Sequence, residues 1–261
     1  GGNENLTGHL LPGLEPNGVP KVLRDTALHF HYNQLSELEE IFNKHGSELA
    51  AVVMEPTRSI DPDSGFLEGI RKLCIKNGTK LIFDEISIGW RLCLGGAHLL
   101  YGVNPDIAVF AKTISNGFPM GAVIGNRLTM EAAQTSFISS AYWTEGVGPA
   151  AAVASISKMK ILDVPSHLNK IGTQFLSGWR ELGEKYQLPV TCGGRPEITQ
   201  VGFDHTEANS LMTLFTTRML GSGFLASSAF NPTWAHQPRH VSAFLQAAEP
   251  VFEEITEALK K

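Results

Sequence analysis

Two short apolar runs, Leu81-Ile82-Phe83 and Ile107-Ala108-Val109-Phe110-Ala111, each end abruptly in charge, the first at Asp84-Glu85 and the second at Lys112. Apolar runs of this length without polar alternation are the pattern of strands covered on both faces, the condition of a parallel sheet flanked by helices. A third run, Leu49 to Met54, ends at Glu55-Pro56, and Phe66, Leu67, Ile70, Leu73 and Cys74 follow it at helical spacing, stopped by Gly78. Strand, helix, strand is the crossover unit that builds such a sheet. Open α/β sheets bind ligands at the carboxyl ends of their strands, so Asp84 and Lys112 are expected to face one crevice.

The rest of the chain is consistent with that frame. Residues 1–32 read as a loop rich in Gly, Pro and Asn, and a helix is expected from Asn33 to Gly46 and another from Gly95 to Tyr101. Ser115 to Pro119 reads as a turn too short for a crossover helix, so a strand over Met120 to Gly125 should run antiparallel to its predecessor. Helices are expected over 145–161, Pro165 to Tyr186, Glu207 to Leu220 and Val241 to Leu259, with a Gly193-Gly194 turn and a strand over Thr199 to Phe203. The last of these make a smaller α+β region.

Charge and composition narrow the function classes. The net charge is −5 over 261 residues and no Lys/Arg cluster occurs, which leaves no surface for nucleic acid or anionic membrane. No apolar stretch approaches a membrane span. Cys74, Cys93 and Cys192 are an odd, widely spaced set, the pattern of reduced thiols in a cytoplasmic protein. His236 and His240 have Pro238 between them, which weighs against a helical metal pair, and no metal is expected. A nicotinamide-dependent oxidoreductase would need a GxGxxG turn after a strand, and none is present. A small molecule is the expected partner.

The two strand ends suggest a chemistry. A lysine after an entirely apolar run is either a surface charge or a desolvated amine, and a desolvated amine is a nucleophile toward carbonyls. Asp84 either caps the segment after it or serves as counter-ion to a buried cation. Strand side chains alternate, so Asp84 and Ile86 are expected on one side and Glu85 on the other. An amine able to form a Schiff base, a carboxylate for a ring nitrogen and an apolar ring contact are the parts of a pyridoxal phosphate site.

At this point a resemblance becomes definite. The segments Leu81-Ile82-Phe83-Asp84-Glu85, Gly89-Trp90-Arg91, Asn104-Pro105-Asp106, Ala111-Lys112 and Gly117-Phe118-Pro119-Met120-Gly121-Ala122 resemble the core of the class III, fold-type I pyridoxal phosphate aminotransferases, especially the glutamate-1-semialdehyde aminomutase branch. The resemblance implies an aminotransferase or aminomutase that uses pyridoxal phosphate, an amino donor and a carbonyl acceptor, and works as a homodimer. It makes Lys112 the Schiff-base lysine and proton shuttle, pairs Asp84 with the pyridine nitrogen and places Ile86 against the ring. Thr144 resembles the threonine that binds cofactor phosphate across the dimer interface, and a Thr opening the Ala-rich helix would also be a good N-cap there. Glu55 is given a structural role, and Ser87 departs from the Gln that many members carry three residues after the Asp. Arg91, Arg195 and Arg239 are either substrate-carboxylate clamps or surface charges, and Trp234 and His236 either touch substrate or simply pack.

The resemblance begins partway into the family's large domain. It implies a loop-rich segment over 1–32, a partial cofactor-binding large domain with a mostly parallel sheet over 33–161, and a C-terminal α+β small domain over 162–261. Residues 1–20 resemble a mobile active-site loop, particularly at Gly18-Val19-Pro20-Lys21, and the sequence offers no candidate for the family's Ser/Thr-Gly loop that opens a helix onto the cofactor phosphate. If the chain is the entire polypeptide, an exposed sheet edge is expected, an aggregation hazard. The rival reading is an inactive fragment or pseudoenzyme serving as a structural or interaction unit.

Overall fold

The computed structural model describes residues 18, 20–23 and 26–260, so the resemblance to an active-site loop falls largely outside the described residues. In chain order the regular elements are α1 (Leu35–His45), β1 (Ala51–Met54), α2 (Phe66–Asn77), β2 (Lys80–Asp84), α3 (His98–Tyr101), β3 (Ile107–Phe110), β4 (Ala122–Gly125), α4 (Arg127–Met130), α5 (Val147–Ile161), α6 (Val164–Tyr186), β5 (Val190–Arg195), β6 (Ile198–Phe203), α7 (Ala208–Gly221), β7 (Ala229–Phe230) and α8 (Pro238–Leu259). Two compact units are distinguished, one of the described residues up to 52 with 62–81, the other of 53–61 with 82–261.

In the first unit α1 and α2 bury Leu38, Phe42, Phe66, Leu67 and Ile70. Tyr32 meets Phe66 edge-on at 5.1 Å, and Thr79 Oγ1 donates to the Leu49 carbonyl at 3.1 Å. Gly78, at φ 71°, closes α2 in the left-handed conformation that ends many helices.

The division passes through β1 and β2, so the carboxyl ends of the sheet β1-β2-β3-β4 all belong to the second unit. There β2 and β3 pair in parallel, with Asp84 opposite Val109, and β3 and β4 pair antiparallel, with Phe110 opposite Ala122. Both outcomes agree with the apolar runs and with the short connection after Lys112. Strand β4 lies at the edge and leaves Val123 and Ile124 more than half exposed.

A second, antiparallel sheet of order β5-β6-β7 packs with α6, α7 and α8 around one apolar core. Trp179, Phe215 and Phe252 are fully buried at its centre, and Trp179 meets each of the other two rings edge-on at 5.0 Å. Leu168, Ile171, Phe175, Trp179 and Leu182 of α6 are buried and fall at three- and four-residue spacing, which places them on one face.

Several expectations need correction here. The glycines at 193 and 194 are not a turn: both lie inside β5, paired with Gln200 and Thr199, and the hairpin turns at Pro196-Glu197. Gly194 is at φ 73°, and a Cβ there would come within 2.3 Å of the Ile198 carbonyl, so a close backbone approach requires the glycine. Helix α8 begins at Pro238, three residues earlier than expected, because Pro238 occupies its first turn and Gln237 and His240 cap it reciprocally. The helix expected from Gly95 shortens to the single turn of α3.

Candidate active site

Three strand ends converge. Glu55 follows β1 directly, Asp84 closes β2, and Lys112 follows β3 after Ala111. Glu55 is half-buried, with Arg58 3.5 Å away. Burial pushes its carboxyl above the ordinary range, Arg58 pulls it back, the Asp84 charge raises it and the Lys112 charge lowers it. The carboxyl therefore feels both of the other strand ends, which places all three groups within electrostatic range.

Asp84 Oδ1 accepts the backbone N–H of Ile86 at 2.9 Å, so the carboxylate does fix the segment after the strand. Ile86 itself is half-buried at the start of a turn, beyond the end of β2. Glu85 points the other way, as alternation requires. It is buried, and its carboxylate accepts from the backbone N–H of Ala97 and of His98 and from His98 Nδ1.

Lys112 adopts φ 51° and opens a short 3-10 turn over Lys112–Ser115. Its Nζ donates to Ser87 Oγ at 2.7 Å, and Thr113 Oγ1 next to it donates to the Gly89 carbonyl at 2.7 Å. Of the two readings of Lys112, the solvated one is found: the apolar run stops at Ala111, the backbone turns at φ 51°, and Lys112 is exposed.

The turn facing Lys112 is itself braced. Arg91 Nε donates to the Ser87 carbonyl at 2.9 Å, and the Trp90 N–H donates to the Gly95 carbonyl at 2.7 Å. The Trp90 ring packs on Phe110 at 6.2 Å. A cleft of about 750 Å³ opens at Lys112, and Arg91, Thr113, Lys158, Met159 and Trp234 are among the residues that line it.

The structure thus gathers Asp84, Ile86 and Lys112 around one turn. Thr144 is exposed and makes no hydrogen bond to them among the described residues. Nor is it the cap of α5: the Glu145 carboxylate accepts the N–H groups of Val147 and Gly148 at 2.7 and 3.2 Å. A longer acidic side chain one residue nearer the helix reaches both orphan donors, which the Thr cannot. Ser87, where many family members carry Gln, binds Lys112 through its hydroxyl and Arg91 through its carbonyl. The missed signal was its position three residues after Asp84, within the first turn beyond the strand.

Of the other candidates, Arg195 is engaged by Asp61 and by the Tyr101 hydroxyl, and Arg239 is exposed with its Nε toward His240. Trp234 lines the cleft and tilts against the His167 ring at 4.7 Å. His236 bonds Thr233 and meets Phe230 edge-on. Burial, with help from His240 and His167, holds it below the usual histidine range. Among the described residues no cluster could hold a metal and no helix is long and apolar enough to cross a membrane.

The family model described as aminotransferase class III matches residues 8–248, nearly the whole chain. The chain belongs to the class III aminotransferases. The chain is 32% identical over 258 residues to a protein of Lysinibacillus sphaericus (strain C3-41) called glutamate-1-semialdehyde 2,1-aminomutase 2, covering 91% of the chain and 60% of that protein. A protein of the same name from Lachnoclostridium phytofermentans is 34% identical over 212 residues, covering 78% and 49%. Among solved structures, the pyridoxal phosphate internal aldimine form of the Sphingopyxis sp. MTA144 FumI protein superposes with a TM-score of 0.84 at 21% identity, over 90% of this chain and 58% of that one. A transaminase with pyridoxal phosphate bound gives 0.82 at 21% identity, over all of this chain and 64% of that one. These structural matches establish an α/β, fold-type I architecture. The chain spans 49–64% of the length of these four relatives.

Proposed function

We propose that this chain carries the lysine-bearing part of a pyridoxal phosphate-dependent aminotransferase or aminomutase, with Lys112 as the amine that holds the cofactor. The observation that carries the reading is the convergence of Lys112, Asp84 and Glu55 at adjacent strand ends, next to a cleft. The residues fit the group. The Lys112 amine is exposed and engaged by a neutral hydroxyl, and Asp84 retains an oxygen with no hydrogen-bond donor among the described residues. Asp84 would hold the ring nitrogen, Ile86 would lie against the ring, and Thr144 would reach the phosphate from a second copy of the chain. When bound, pyridoxal phosphate supplies an electron sink for the substrate carbon.

The chain's own residues do the rest. Lys112 would carry the substrate Cα proton, and its exposure leaves the amine room to move. Ser87 holds the amine near the turn through a neutral hydroxyl. The arrangement suits an amino donor and a carbonyl acceptor taken in turn, in a homodimer in the cytoplasm, where the three free cysteines stay reduced. The large domain would span 33–161 and the small domain 162–261.

The test is direct. With cofactor added and borohydride as reductant, peptide mapping should find the label on Lys112, and Lys112→Ala should abolish it. Label spread evenly over surface lysines would overturn the proposal.

A further inference from the structure

Resting on the reading of Lys112 as the reactive amine, we propose that Ser87 is a positioning residue for that amine, its hydroxyl holding Lys112 Nζ at the cleft for an incoming carbonyl group. Where many family members carry Gln to meet the cofactor hydroxyl, this chain has a side chain that serves the lysine instead. Nζ donates to Ser87 Oγ at 2.7 Å, and among the described residues neither atom has another hydrogen-bond partner.

The backbone on both sides of this contact is fixed. Lys112 is at φ 51°, in the left-handed region that a residue with a side chain seldom enters, so the surrounding structure must hold it there. Three contacts join its turn to the turn of Ser87. Thr113 Oγ1 donates to the Gly89 carbonyl at 2.7 Å, the Trp90 ring packs on Phe110, and Lys112 meets Ser87. The Ser87 turn is also held internally, by the Gly89 N–H donating to the Glu85 carbonyl at 2.8 Å and by Arg91 Nε donating to the Ser87 carbonyl. A Cβ at Gly89 would come within 2.7 Å of that Glu85 carbonyl and 2.9 Å of the Phe110 ring, so the close approach of the two turns requires glycine there. A side chain supported in this way presents its hydroxyl at a set place.

A hydroxyl also suits an amine that must react. Nζ is the donor in this bond whether or not it carries its extra proton, so the contact survives when the amine is neutral and leaves its lone pair free. A neutral amine with a free lone pair is the form that attacks a carbonyl. Asp84 uses one oxygen on the Ile86 N–H and Glu55 faces Arg58, and among the described residues neither carboxylate hydrogen-bonds the amine. Ser87 thus gives the free amine a place of its own and leaves the second Asp84 oxygen to the ring nitrogen.

The test needs no turnover. The full chain is treated with 3-hydroxypyridine-4-carbaldehyde and, separately, with pyridine-4-carbaldehyde, which lacks the ring hydroxyl. The amine adds to the aldehyde carbon, water leaves, and borohydride reduces the C=N bond to a stable secondary amine. Peptide mapping then gives the label on Lys112 relative to the other lysines. Ser87→Ala removes the hydroxyl but keeps the carbonyl that accepts from Arg91. It should lower the ratio about two- to tenfold with both aldehydes, the range of one net hydrogen bond. Ser87→Thr, which keeps a hydroxyl, should restore the ratio, and far-UV circular dichroism should be unchanged in both variants. An unchanged ratio in Ser87→Ala, or a ratio in Ser87→Thr as low as in Ser87→Ala, overturns the proposal. A fall confined to the hydroxyl-bearing aldehyde overturns it too, because Ser87 would then act on the reagent and not on the lysine. Wild type with no preference for Lys112 is a different failure, which sinks the functional reading and this proposal with it.

Discussion

The turn that carries Ser87 and Arg91 depends on a buried carboxylate, and Glu85→Ala tests that dependence. Glu85 is 1% exposed and its two oxygens accept from Ala97 N–H at 2.8 Å, His98 N–H at 3.0 Å and His98 Nδ1 at 2.7 Å. Truncation leaves two backbone donors and a ring nitrogen facing a small cavity. Each unpaired buried donor costs about 1–3 kcal/mol, and removing one member of a buried charged cluster costs roughly 3–5 kcal/mol in all. Glu85→Gln should cost less, about 1–3 kcal/mol, because its amide oxygen can still serve His98 while the amide nitrogen confronts the Ala97 N–H. Urea unfolding followed by circular dichroism reads both values from the shift in midpoint at constant slope. A Glu85→Ala variant within about 1 kcal/mol of wild type would refute the account, as would equal losses for the two substitutions.

Two further perturbations follow from the same structure. Glu55 has its folded-state carboxyl raised above its ordinary value, first by burial and then by Asp84, so the stability it contributes is present below the ordinary carboxyl range and is lost as pH rises through the raised one. Glu55→Gln should remove that loss, and urea midpoints should show the variant gaining on wild type between acidic and neutral pH; a constant difference across pH would refute it. Gly172→Ala, which a helix interior would ordinarily favour by about 1 kcal/mol, should instead lower the thermal midpoint, because a Cβ there would come within 1.7 Å of the Pro196 carbonyl. A midpoint at or above wild type would show that α6 and the β5–β6 hairpin can separate at no cost.

The sheet was legible where its signals were local and unambiguous. Uninterrupted apolar runs located β2 and β3, and a connection too short for a crossover made β4 antiparallel. Alternation at the end of β2 correctly sent Glu85 away from Asp84, because burial of Glu85 among Ala97 and His98 agrees with that phase. The misreadings share a cause: each relied on residue type where a longer-range contact decided. Gly193-Gly194 looks like a turn until β6 is laid beside it, and the two-residue β7 has too little sequence to announce itself. Thr144 is a fitting cap by composition, but the reach of Glu145 is a matter of geometry. Lys112 follows five apolar residues, yet what decides its solvation is the reversal of the backbone at φ 51°, which no run of hydropathy encodes.

That reversal bears on how the site works. A reactive amine is usually expected to be kept in its nucleophilic state by burial, and Lys112 is not buried. Its hydrogen-bond partner is a neutral hydroxyl, and the cleft it lines brings two further cations and no carboxylate. Of the two acids at the neighbouring strand ends, Glu55 has its carboxyl pushed toward the neutral form by burial, which weakens its hold on the lysine as pH falls toward the raised value.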